Sequence, residues 1–232
     1  MTALLEVIPT CLRARNFRGN WSETRDDPFL AQSSRMERRP AQADSRSAAV
    51  FVNGNFYFGA DGLAGELGHT TIDERGEMCS CGNRGCLEVY ASGWAIITSV
   101  RRALLQGVTS SLLETRTEHL SVEAIVDAAR KGDRLSQTVL SEAGTHLATA
   151  LANFVNLFNP QSIILGGAVP QVTKTFFLKS LSQALRYRAF HRSVSNLKLL
   201  VSHRVGQPGA VGVALVVAEQ LSRQFCTSNY SD

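Results

Sequence analysis

His69, Cys79, Cys81 and Cys86 follow one another in the spacing His-x9-Cys-x-Cys-x4-Cys. One imidazole and three thiols at such short range form a four-donor set for zinc. In structural sites zinc takes Cys sulfur and His nitrogen at the corners of a tetrahedron. Gly82 and Gly85 lie among the thiols and let the backbone turn tightly enough for three sulfurs to converge. Disulfides are the competing account. Cys79 and Cys81 are too close in sequence to pair comfortably, and Cys86 would leave an odd thiol. Residues 1–30 contain no continuous apolar stretch of the kind a secretory signal needs. A zinc site in a reducing, cytoplasmic setting therefore accounts for the cluster better. Cys11 and Cys226 are distant and read as free thiols.

Four protein donors leave no open coordination position, so such a site is structural and not catalytic. Its expected work is to fix a loop and to hold its polar neighbours in place. Those neighbours are Glu66, three residues before His69, and Glu88, two residues after Cys86. A metal-bound imidazole keeps a second ring nitrogen that can serve a ligand or an acceptor nearby. Taken singly, Glu66 and Glu88 are ordinary surface charges. Beside the cluster they become candidates for holding a hydroxylated ligand.

These residues must be placed by the elements around them. Residues 48–58 alternate and are broken by Asn53-Gly54, which predicts a β-hairpin with a tight turn. A glycine-bearing loop, 59–68, leads into the Cys segment. Residues 87–105 have helical character with a bend near Ser92-Gly93, and 107–120 read as a loop. Ser121 opens a helix as its N-cap, with apolar residues at 122, 125, 126 and 129. Residues 135–158 predict a long helix, apolar at 139, 140, 143, 147, 151, 154 and 155. Asn159-Pro160 stops it. Ser162 to Leu165 reads as a buried strand closed by Gly166-Gly167. A helix over 173–188, a strand over 197–203 and a final helix over 210–225 complete an α/β pattern.

The 232 residues hold 44% hydrophobic side chains, enough for one large domain or two small ones. No apolar run reaches the roughly 18 to 20 residues of a membrane helix. The net charge of +4 is weak support for nucleic-acid binding. Arginine is concentrated in residues 1–47, a segment without periodicity. It reads as a disordered or non-homologous leader ahead of a domain over 48–232, with a basic arm for nucleic acid as the alternative.

Four segments together resemble the ROK family of sugar kinases and sugar-responsive repressors. They are Gly65-Glu-Leu-Gly-His69, the run Cys79 to Glu88, the stretch from Val155 to Gly167, and Gly209-Ala-Val-Gly-Val-Ala214. The resemblance spans about residues 48–222. It implies an actin-like, ribonuclease H-like α/β fold, of which this chain supplies mainly the C-terminal lobe. It implies zinc on His69, Cys79, Cys81 and Cys86, and a hexose or N-acetylhexosamine held by Glu66, His69 and Glu88. It places Gly166 and Gly167 near nucleotide phosphates in kinase members, with ATP and magnesium as cofactors only in that case, and implies a homodimer.

The chain departs from the kinase pattern. It contains no Asp-x-Gly-x-Thr phosphate loop and no Asn-Asp-x-Asn segment with its general base. No catalytic residue is therefore assigned, and an N-terminally truncated chain is expected. The segment from Gln106 and the run Asn156 to Gln161 resemble the repressor branch, where a separate N-terminal domain binds DNA. The expectation is a sugar-sensing regulator lobe. A sugar kinase lacking its catalytic half and a self-associating zinc module are the alternatives.

Overall fold

The computed structural model describes residues 2–5, 48–52, 55–60, 63–113, 120–166 and 176–202. In chain order the elements are β1 (Thr2–Leu5), β2 (Ala49–Val52), β3 (Asn55–Tyr57), α1 (Glu88–Ala91), α2 (Gly93–Leu105), α3 (Val122–Arg130), α4 (Arg134–Phe158), β4 (Ser162–Leu165), α5 (Phe176–Arg188), α6 (His191–Ser195) and β5 (Lys198–Val201). A 3-10 turn at Leu67–His69 precedes the Cys segment.

The strands form one sheet in the order β3-β2-β1-β4-β5. β2 pairs antiparallel with β3 and with β1, while β4 runs parallel to β1 and to β5. Parallel neighbours need long crossovers. The crossover from β1 to β4 therefore contains the whole Cys segment and helices α1 to α4. The hairpin expected over 48–58 forms, with its turn residues Asn53-Gly54 outside the described residues.

Four residues expected to lie in an unstructured leader, Thr2–Leu5, instead form the central strand. Their backbone bonds on one edge to β2 and on the other to β4, which a loop reading of 1–47 does not anticipate. Residues 6–47, with most of the expected leader and basic arm, lie outside the described residues. So do the final helix expected over 210–225 and the Gly209 to Ala214 segment. Among the described residues no helix is long and apolar enough to cross a membrane.

The helix signals act where the sequence puts them. Ser92 separates α1 from α2, and its hydroxyl accepts the Ala95 N–H at 3.0 Å. Ser121 caps α3 by accepting from Ala124 at 3.2 Å. Asp133 caps α4, accepting from the Ser136 N–H at 2.8 Å. α4 ends where Asn159 takes φ 45°, and its N–H closes onto the Val155 carbonyl at 2.8 Å. Side-chain oxygens thus satisfy N–H groups that a helix start leaves without partners.

α4 is the spine of the packing. Its Leu140, Leu147, Leu151 and Val155 are buried with Phe177, Leu181 and Leu185 of α5, and with Val50, Ile163 and Leu165 of the sheet. Gly144 lets α5 approach closely, since a Cβ there would collide with the Phe177 carbonyl oxygen. The apolar period of α4 therefore spends itself on a helix partner and a sheet, and leaves α1 and α2 to seat the Cys segment against its middle.

Candidate functional site

Residues 70–87 form a two-armed ribbon. The Ile72 N–H donates to the Gly85 carbonyl at 2.8 Å, the Gly85 N–H to the Glu77 carbonyl at 2.8 Å, and the Leu87 N–H to the Thr70 carbonyl at 3.0 Å. Isolated bridges pair Thr71 with Cys86 and Met78 with Arg84. At the tip, the Gly82 N–H donates to the Cys79 carbonyl at 3.0 Å, and the Cys79 N–H to the Asn83 carbonyl at 2.8 Å. Gly85 has φ +65° and sits against the Asp73 carbonyl so closely that a Cβ would collide. That glycine is what lets the two arms meet.

The ribbon brings the four expected donors together. One ligand atom from each of His69, Cys79, Cys81 and Cys86 lies within 4.8 Å of every other. Cys79 Sγ is 3.7 Å from His69 Nδ1. Cys81 Sγ is 3.6 Å from Cys86 Sγ. Zinc–sulfur bonds of about 2.3 Å set tetrahedron edges of about 3.8 Å, which the Cys79–His69 and Cys81–Cys86 separations match, and the 4.8 Å bound on the whole set lies about 1 Å beyond that edge, so the donors could hold a zinc ion after closing by a small amount. The chemistry of the set agrees, because three thiols and one imidazole suit zinc or another thiophilic ion.

Without a metal the Cys86 thiol resists ionisation. Burial, reinforced by the adjoining Cys81 and Cys79 thiols, pushes Cys86 from 9.0 up to about 12. Cys86 is fully buried and Cys79 nearly so, whereas Cys81 faces solvent. A cation arriving at this cluster must displace protons, and in exchange supplies the positive charge that the buried sulfurs lack.

Glu88 is the expected carboxylate that the structure brings to the cluster. Its Oε2 lies 3.6 Å from His69 Nε2. Glu66 caps the 3-10 turn through its backbone, accepting the His69 N–H at 3.1 Å, and its side chain is exposed. Gly166 lies buried at the end of β4, and Gly167 falls outside the described residues.

A second set of residues was not anticipated from the sequence. The Tyr90 hydroxyl donates to Asp73 Oδ2 at 3.2 Å and accepts the Glu77 N–H at 3.2 Å. Its ring stacks on His146 of α4, with centroids 4.8 Å apart. Arg102 of α2 pairs with Glu77 at 2.8 Å. Burial raises the Tyr90 phenol above its ordinary value, so it remains a donor at neutral pH. Burial also lowers His146, assisted by Arg188 and opposed by Glu142 and Asp73. Together Tyr90, Trp94, Glu142 and His146 help line a cleft of about 130 Å³. The signal in the sequence was slight, a tyrosine two residues after Glu88. Its partners lie 17 and 56 positions away.

The sequence model of the ROK family matches residues 47–220. A xylose repressor of Caldicellulosiruptor bescii is 32% identical over 177 residues, covering 75% of this chain and 44% of that protein. A glucokinase of Thermotoga maritima is 32% identical over 178 residues, covering 74% of this chain and 55% of the enzyme. Among solved structures, a ROK family transcriptional regulator, described as a homologue of the E. coli MLC protein, superposes with a TM-score of 0.64. It is 36% identical and covers 68% of this chain and 39% of that one. The chain thus spans about half or less of the length of the relatives it matches.

Proposed function

The chain belongs to the ROK family, and on that premise we propose that it forms the sugar-sensing lobe of a transcriptional regulator, with zinc held by His69, Cys79, Cys81 and Cys86. When bound, zinc supplies a fixed positive charge that locks the loop and sets the direction of the His69 ring. It carries out no step of its own, since the four protein donors fill a tetrahedron. The sugar contacts proposed are Glu66, His69 and Glu88.

One observation carries this reading. His69 stands between the thiol cluster and Glu88, so a single ring links the metal loop to a carboxylate able to accept from sugar hydroxyls. The closed donor set gives the metal a structural part under either reading, regulator or kinase. The names of the relatives, a xylose repressor and a glucokinase, point to pentoses and hexoses as the sugar class. A homodimer is proposed with the regulator reading, and DNA is not proposed as a ligand of this lobe.

The likeness to a glucokinase keeps a second reading, an ATP- and magnesium-dependent sugar kinase whose phosphates would approach Gly166 and Gly167. Calorimetric titration of the zinc-loaded chain with D-xylose, D-glucose and N-acetylglucosamine decides the first reading. Saturable binding of one sugar is expected, and heat of dilution alone for every sugar would overturn it. Transfer of labelled phosphate from ATP to the bound sugar would favour the kinase.

A further inference from the structure

Zinc can hold His69, but Glu88 is not a metal ligand and needs an anchor of its own. α1, the helix bearing Glu88, is only four residues long, and no side chain caps it. A helix that short has almost no stability by itself. Its roll about its own axis must be set from outside. Leu87, immediately before it, is fully buried and fixes its start. Tyr90 fixes the far side. At 100° per residue, positions two apart point to nearly opposite faces of a helix. With Glu88 turned to His69, Tyr90 therefore turns away from it, toward the outer arm of the ribbon and α4.

There the Tyr90 hydroxyl is held at two points, donating to Asp73 and accepting from the Glu77 backbone. Gly76 closes over the same oxygen so tightly that any Cβ would displace it. The ring is clamped on its face by His146. Arg102 ties Glu77 back to α2, which continues from α1. The anchor is thus built around the Tyr90 side chain, through Asp73 and Glu77 at its hydroxyl and His146 on its ring.

We propose that Tyr90 is the positioning residue for Glu88: its hydroxyl, held between Asp73 and Glu77, sets the roll of α1 and thereby aims the Glu88 carboxylate at His69 and at a sugar hydroxyl. The last part rests on the sugar-pocket reading above, and the first does not. The site then has two independent anchors, a metal for the imidazole and a tyrosine for the carboxylate. Loss of the Tyr90 hydroxyl leaves the donor set whole and loosens the roll of α1 that aims Glu88.

The test is Tyr90→Phe in the full zinc-loaded chain, which keeps the ring against His146 and removes only the hydroxyl. Three readouts separate the possibilities. Zinc per chain should equal that of the parent. In spectra of protein labelled with ¹⁵N-histidine, the His69 Nε2 resonance should move in the direction produced by Glu88→Gln. The sugar that the parent binds should bind about tenfold more weakly, the loss expected from one net hydrogen bond. An unmoved His69 resonance would overturn the proposal. So would loss of zinc from Tyr90→Phe, which would make the residue a part of the loop's folding instead. If the parent binds no sugar, the sugar reading fails, and the His69 resonance alone decides the role of Tyr90.

Discussion

The Nε2 of His69 lies 3.6 Å from Oε2 of Glu88, while Nδ1 of the same ring faces Cys79 at 3.7 Å. A carboxylate behind a ligating imidazole holds the tautomer that leaves the other nitrogen free for metal. On the proposed sugar-pocket reading Glu88 has two duties, orienting His69 and presenting oxygens to a ligand. Glu88→Gln should keep its zinc and weaken sugar binding by about 10- to 100-fold, as expected for a hydrogen bond to a charged group. Calorimetry on zinc-loaded protein checks this, and affinity equal to the parent's would remove Glu88 from the pocket.

Zinc uptake should be steeply dependent on pH. The fully buried Cys86 is pushed up to about 12 by burial and by its thiol neighbours, so the metal must displace its proton throughout the neutral range. Protons compete more strongly as pH falls. Apparent zinc affinity should therefore drop by at least about tenfold per unit from pH 8 to pH 6. Competition against a chromophoric chelator measures it, and a flat profile contradicts the ligand assignment. Cys81→Ser should abolish stoichiometric zinc and lower the thermal midpoint by about 5 °C or more, since metal binding is coupled to folding.

Asp133 gives a stability prediction separate from the metal. Burial would raise its carboxyl, but hydrogen bonds from Ser136, Ser111 and Ser110 outweigh that effect and hold it at about 2, against an ordinary 3.8. It caps α4 and also takes the Ser111 N–H at 2.7 Å. A folded-state value below the unfolded one means that the contribution is present above about pH 4 and disappears as pH falls toward 2. Asp133→Ala should cost about 1 kcal/mol at pH 7 and little at pH 2. Denaturant midpoints at the two pH values check the difference, and an equal loss at both would rule out the cap as the cause.

Gly144→Ala should destabilise the chain although alanine is the better helix former. The intrinsic gain in the middle of α4 is about 1 kcal/mol. The added Cβ would run into the Phe177 carbonyl, a backbone atom that cannot rotate aside. Forcing α5 outward costs about 1–3 kcal/mol. A lower thermal midpoint is expected, and a higher one would show that α5 is less closely seated than described.

Much of the architecture is local and was legible in the sequence. The Ser121 cap, the bend at Ser92, the Asn159-Pro160 stop and the apolar period of α4 act over one or two turns of chain, where side-chain chemistry and backbone preference decide the outcome. The donor types and their spacing also picked out the four side chains that the structure gathers, because groups a few residues apart can converge only through a tight turn. Tertiary structure decided what depends on partners far along the chain. Thr2–Leu5 is a strand because β2 and β4, some 45 and 160 residues away, offer backbone edges on either side. Glu88 meets the imidazole because α1 has a particular roll, and on the proposal above that roll depends on Asp73 at the Tyr90 hydroxyl and His146 on its ring. Spacing names the groups that can do chemistry, but the direction in which each one points is set by packing between elements, and packing has no short-range signature.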